Sequence, residues 1–237
     1  MSSSANSVCS PTRINVVLSH VNSYTRASLG NSTPCDEFVK AYGPEARRLL
    51  AMLGTVKVPA KDNEPHRDLD TTTYVATTHR TEKFGKLVRA EFDRRFGRIP
   101  ETTLYITDGS KWLQTVWRNH FPFATPILDV YHALGHLKPM MLGLGIREGS
   151  KEWKYRHRYW PECVKAGKTK NVLDYIWKNM RGKLSGDAMR EYRYYRGNAG
   201  RMKYDEYRAN GWFIGPDVIE SGCKTVIGQR FKQSGMI

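Results

Sequence analysis

The spacing of apolar residues divides this chain into elements. Ile14 to Val21 (INVVLSHV) is a β-like run inside an opening of about 35 residues rich in Ser, Asn and Thr. Residues 36–53, DEFVKAYGPEARRLLAML, bring Phe38, Val39, Tyr42, Leu49, Leu50 and Leu53 near one face of a predicted helix, which Gly43-Pro44 interrupts. Lys61 to Asp70 is polar and reads as a loop. TTTYVATTH (71–79), β-branched and aromatic, predicts a strand. Thr81 to Phe96 then carries Phe84, Leu87, Val88, Phe92 and Phe96 at helical spacing. TTLYIT (102–107) predicts a second strand that ends at Asp108-Gly109, and Lys111 to His120 a helix with Trp112, Val116 and Trp117 on adjacent turns. TPILDVY (125–131) predicts a short buried strand, and Ala133 to Leu144 a further helix despite Pro139.

Strands alternating with helices in this way predict an α/β domain with a largely parallel sheet. In open sheets of that type polar chemistry gathers at the carboxyl ends of strands. Asp108 stands at such an end, followed by a glycine that lets the backbone turn.

Residues 151–210 break the alternation. Few are β-branched, which predicts helices. Sixteen Lys and Arg face seven Asp and Glu there, and eleven Tyr and Trp are interleaved, as in KEWKYRHRYW (151–160) and REYRYYRGNAGRMKYDEYR (190–208). Over the whole chain, 38 Lys and Arg against 23 Asp and Glu leave +15. Such a surplus favours a polyanionic partner, because each neutralised phosphate releases condensed counterions. The basic, aromatic segment suits a surface that contacts phosphates and stacks on bases; the competing reading is a helical subdomain whose aromatics form its own core. The candidate DNA contacts within it are Lys151, Lys154, Arg156, Arg158, Arg193, Arg196 and Arg201, with Lys224 and Arg230 beyond it.

Other classes recede. Cys9, Cys35, Cys163 and Cys223 form no CxxC pair, which argues against a cysteine zinc site or a disulfide framework. No apolar run approaches the ~18 to 20 residues of a membrane span, and the opening MSSSANSVCSPTR lacks the order of a signal peptide. The expectation is a cytoplasmic, nucleoid-associated protein.

Three features could carry chemistry. Asp108 is one. Glu220 is the second: Gly215-Pro216-Asp217 reads as a helix start, and a helix from there would set Glu220, Lys224 and Cys223 near one face. Two such carboxylates meeting at a sheet edge could hold Mg²⁺; the plainer alternative makes Asp108 a turn residue and Glu220 a partner of Lys224. The third is Asp129-Val130-Tyr131-His132, whose Asp-x-x-His spacing suits a metal or a positioning hydrogen bond, or simply a helix cap. His136 would share a helix face with His132, but two histidines do not make a site.

Three blocks in order, DLDTTTYVATTHRTEKFGKLVRAEFDRRFG (68–97), LYITDGSKWLQTVWRNHFPFATPILDVYHALGHL (104–137) and GWFIGPDVIESGCKTVIGQRFKQSGM (211–236), resemble a family of bacterial insertion-sequence transposases that use acidic DDE chemistry and are distantly similar to Mutator-like elements. The resemblance covers residues 60 to 236. It implies an RNase H-like mixed sheet flanked by helices, with a basic helical insertion before the last catalytic helix. The implied organisation is a divergent segment over 1–60, an α/β core over 61–137, the insertion over 138–210 and a closing helix over 211–237. Asp108 and Glu220 become the second and third acids and ligands of Mg²⁺ (or Mn²⁺), with Asp129 and His132 as an accessory pair. The implied partners are transposon-end and target DNA, with room for a homo-oligomer and none for a membrane.

The sequence departs from that family at two points. The opening strand, INVVLSHVNSY (14–24), offers His20 and Asn22 but no Asp, and Asp36, Asp62, Asp68 and Asp70 stand in helix or loop contexts. The chain also stops at Gly235-Met236-Ile237, where the family continues with a Trp-containing tail. The expectation is therefore a truncated or decayed transposase core, incomplete in catalysis; the alternative is a DNA-binding remnant or repressor.

Overall fold

A computed structural model of the chain describes residues 14–19, 49–57, 66–67, 71, 73–77, 80–184 and 186–215. Its centre is a six-stranded mixed sheet. Strand β1 (Ile14–Ser19) lies in the middle. On one side it pairs antiparallel with β2 (Leu49–Lys57), Ile14 opposite Val56 and Ser19 opposite Ala51. Two further strands, β3 (His66–Arg67) and β4 (Thr73–Thr77), lie antiparallel on successive parts of β2. On its other side β1 runs parallel to β5 (Thr103–Thr107), and β5 parallel to β6 (Thr125–Leu128). Helix α1 (Thr81–Phe96) carries the chain from β4 to β5, and α2 (Lys111–His120) from β5 to β6.

Two expectations are corrected. Leu49, Leu50 and Leu53, assigned to a helix face, belong to β2. The run LLAML fits a helical and an alternating template equally well over five residues, and length alone cannot separate them. Pairing with β1 on one side and β4 on the other decides in favour of strand. The remainder of the predicted helix, 36–48, lies outside the described residues. The sheet is also mixed, as the resemblance implies, and not largely parallel, as the strand–helix alternation alone suggests, because β2, β3 and β4 join through antiparallel pairing.

Every residue of β5 is buried, which is the mark of a strand covered on both faces. Alternation sorts its side chains. Tyr105 joins Ala51, Leu53, Phe84, Val88, Phe92, Leu113, Val116 and Phe121 under α1 and α2. Leu104 and Ile106 point the other way and join Ile127 and Leu128 beneath the later helices. In the first layer Phe92 packs against Phe96, Phe121 and Phe123 at centroid distances of 4.9, 5.7 and 5.6 Å, and Arg95 donates to the Leu53 carbonyl at 2.8 Å, tying α1 to β2.

The opposite layer consists of α3 (Val130–Gly135), α4 (Leu137–Gly143), α5 (Lys151–Lys165), α6 (Thr169–Met180), α7 (Gly186–Asn198) and α8 (Tyr204–Ala209). The helical reading of 151–210 thus holds. This layer is continuous with the sheet core: Trp160, Tyr195 and Tyr204 are buried in the same cluster as Leu104 and Ile127. The Tyr204 hydroxyl donates to the Leu128 carbonyl at 2.9 Å, and the Tyr195 hydroxyl to that of Ala133. Helices α4 and α7 cross closely at Gly143, where a Cβ would stand 2.7 Å from the Ala188 nitrogen. Among the described residues no helix is long and apolar enough to cross a membrane.

Candidate functional site

The carboxyl ends of β5 and β6 deliver two carboxylates side by side. Thr107 is in register with Leu128, and the Asp129 N–H donates to the Thr107 carbonyl at 2.8 Å, extending the ladder one residue past the strand. Asp108 and Asp129 are both buried, 7 % and 4 % exposed. Burial of two acids is expensive unless hydrogen bonds compensate, and both are bonded to backbone. Asp108 Oδ1 accepts from the Ser110 N–H at 2.8 Å across a turn in which Gly109 holds φ +88°. Asp129 is the N-cap of α3, its Oδ1 accepting from the His132 N–H at 2.9 Å. The predicted strand 125–131 therefore ends at Leu128, because Asp129 starts a helix.

Helix α7 lies over these strand ends with a polar face. The Tyr194 hydroxyl donates to the Asp108 carbonyl at 2.8 Å. Burial, then the charge on Asp108, pushes the Tyr194 phenol well above its ordinary range, so it stays a donor. Its ring stacks on His136 at 3.9 Å and 22°. Glu191, one turn earlier and 4 % exposed, receives His136 Nδ1 at 2.6 Å on Oε2 and the Arg190 guanidinium at 3.3 Å on Oε1. His136 Nε2 in turn meets His132 Nε2 at 3.2 Å. The Arg201 guanidinium, after α7, donates to Asn198 Oδ1. Burial lowers the pKa of Arg201, against the raising influence of Tyr194, Tyr204 and Asp108.

Beside this cluster opens a groove of about 680 Å³ between the start of α2 and α7, lined by Gly109, Lys111, Gln114, Arg190, Arg193 and Tyr194 among others. It joins the turn after Asp108 to three cationic side chains. The glycines help to form it: on α7 a Cβ at Gly197 would meet nothing within 4 Å.

The predicted DNA contacts divide. Lys151, Lys154, Arg158, Arg193 and Arg196 are exposed. Arg156 turns inward, its guanidinium 3.9 Å from the Tyr175 ring centroid and bonded to that hydroxyl, and Arg201 is half-buried near Asp108. Of the interleaved aromatics, Trp153, Trp160, Tyr192, Tyr195, Tyr204 and Tyr207 are core, whereas Tyr155, Tyr159 and Trp177 are exposed. Part of the segment's aromatic residues thus build a core shared with the sheet, and the rest, with most of its Lys and Arg, face solvent. Glu220, Lys224, Arg230, His20 and Asn22 lie outside the described residues, as do Asp36, Asp62, Asp68 and Asp70. Lys111, Arg190, Glu191, Tyr194 and Asn198 were not singled out from sequence. The signal was present, since Arg190, Arg193, Tyr194 and Gly197 recur at spacings of three and four on one helix face, but aromatics on every side of α7 obscured it.

Among the described residues no group of three or more His, Cys, Asp or Glu side chains is arranged to hold a metal ion. Compared with protein-family models, curated proteins and solved structures, the chain matches none.

Proposed function

We propose that this chain is the DNA-binding core of a DDE-type transposase with an RNase H-like fold, and that its catalytic set is incomplete. The observation that carries the proposal is the cationic groove of Lys111, Arg190 and Arg193 opening at the turn after Asp108. A polyanion lying there would be held by point charges and guanidinium forks with its backbone beside the carboxylate-bearing strand ends. The sheet supports the fold: a central β1, antiparallel strands on one side and two parallel strands with helical crossovers on the other.

The donors suit the ion that the resemblance implies. Asp108 and Asp129 offer hard oxygens, the ligand class of Mg²⁺ and Mn²⁺, and when bound such ions would stabilise charge developing on a phosphoryl oxygen. Glu220 follows five residues after Gly215, a stretch that spans at most roughly 18 Å. Ile214, beside Gly215, is anchored at the site, its carbonyl accepting from the Val130 N–H at 3.0 Å. What the donor set lacks is an acid on the central strand. β1 runs parallel to β5 with Leu18 opposite Ile106, yet INVVLS contains no Asp or Glu.

A second reading, an active enzyme, is favoured by Asp129 lying next to Asp108. Incubation of the full chain with pre-cleaved transposon-end DNA and Mg²⁺ or Mn²⁺, beside an Asp108→Ala control, separates the two. The expected result is DNA binding without efficient strand transfer. Robust transfer that vanishes in the control would establish the second reading.

A further inference from the structure

The two histidines become informative in the company of Glu191. His136 Nδ1 lies 2.6 Å from the Glu191 carboxylate. At that separation Nδ1 donates to the carboxylate, and in the Nδ1–H tautomer Nε2 carries the lone pair that a metal would take. That lone pair faces His132 Nε2 at 3.2 Å. Metal–nitrogen bonds of ~2.0–2.1 Å place neighbouring imidazole nitrogens roughly 2.9 to 3.4 Å apart, which brackets the observed separation. The ring centroids are 4.9 Å apart with planes at 62°, and bonds of that length drawn outward from both Nε2 atoms would place the centroids roughly 5 Å apart around a shared ion.

The surroundings hold that geometry. A histidine that binds metal through one nitrogen usually donates its other N–H to a carboxylate, which fixes the ring and raises its basicity. Glu191 stands in that place, and the Arg190 guanidinium occupies its other oxygen. Tyr194 lies flat on the face of the His136 ring, away from its in-plane nitrogen edges. The His136 side chain is 27 % exposed, so water can complete the coordination.

We propose that His132 and His136, backed by Glu191, form a binding site for one divalent transition ion of the zinc class. Imidazole pairs favour such ions over Mg²⁺, which takes hard oxygen. The site adjoins the strand ends that carry Asp108 and Asp129, since Asp129 caps the helix of His132, but the proposal does not rest on the chemistry proposed for Asp108. Its Glu191 comes from the basic insertion and its histidines from the junction of α3 and α4, so the bound ion would fasten α7 to the end of the sheet.

The test titrates the full chain, purified without a histidine tag, with Zn²⁺ and with Co²⁺, whose visible absorption reports nitrogen coordination. One Zn²⁺ per chain is expected. His132→Ala and His136→Ala should each weaken binding at least about 100-fold, Glu191→Gln by about 10- to 100-fold, and Asp108→Asn by less than about twofold. The melting temperature of the unaltered chain should rise with Zn²⁺ and not with Mg²⁺, a readout that does not depend on variants folding well. Zn²⁺ affinity, or a Zn²⁺-induced thermal shift, equal in the unaltered chain and a folded His132→Ala/His136→Ala double variant would overturn the proposal, and so would absence of Zn²⁺ binding. None of these outcomes bears on DNA binding by the groove.

Discussion

Gly109 is where the backbone of the site is most constrained. It holds φ +88°, and a Cβ there would stand 2.8 Å from Leu128 Cδ1 and 3.0 Å from the Tyr194 hydroxyl. Gly109→Ala should therefore destabilise the fold by about 1–3 kcal/mol, read as a lower urea midpoint; an unchanged midpoint would mean that this turn is not strained. Tyr194→Phe keeps the ring on His136 and removes only the bond to the Asp108 carbonyl, so a loss of about 1 kcal/mol is expected by the same measurement. His120 supplies a pH dependence. Burial, then the charges of Lys86 and Arg89, hold its pKa below the ordinary value near 6.5. The folded chain thus resists a proton that the unfolded chain accepts. The associated stability is complete above pH 6.5 and is lost as pH falls from there toward the folded value. The effect is small because the ring is partly solvated. Thermal melts from pH 7.5 to 5.5 should decline less steeply in His120→Gln; superimposable profiles would exclude this source. At this scale Asp108 was legible because a glycine follows it at a strand end. Glu191 was not, because its meaning comes from His136, 55 positions away.

Among the elements, some decided by local pattern were read to within a residue, whereas the helix expected over 133–144 is two, Val130–Gly135 and Leu137–Gly143. Lys111–His120 is a helix over the residues predicted, and β5 differs from its prediction by one residue. Strand β2 was misread because five apolar residues satisfy two periods, and only its neighbours in space choose between them. Caps set the starts of the helices near the site. Ser150 accepts from the Trp153 N–H at 3.1 Å and begins α5; Ser150→Ala should cost about 1 kcal/mol without altering DNA affinity. Calorimetry and a binding titration on the same preparation check both halves, and a fall in affinity would show that α5 reports its own stability to the groove. Asp129 was legible as a cap from its position before Val130. Its second property, adjacency to Asp108, needed the register of β5 and β6.

For the molecule as a whole, the α/β class followed from alternating strands and helices, whereas the mixed sheet did not, since β1 through β4 join by pairings between distant segments. The surplus of positive charge pointed to a polyanion but could not say where it would lie. The fold gathers part of that charge: α7 packs a buried face of Ala188, Tyr192 and Tyr195 on the core, and Arg190 and Arg193 line the groove with Lys111. DNA held there should bind with steep salt dependence, log affinity falling by about 0.9 per phosphate contact for each decade of salt. The most direct measurement is the affinity of the full chain for duplex DNA across salt concentrations, compared with a Lys111→Ala/Arg190→Ala/Arg193→Ala variant and with a Lys83→Ala/Lys86→Ala control on α1. The groove variant should bind more weakly and lose about 2.7 units of slope if each side chain contacts one phosphate, with the control unchanged. An unaltered slope in the groove variant, or an equal loss in the control, would contradict the account.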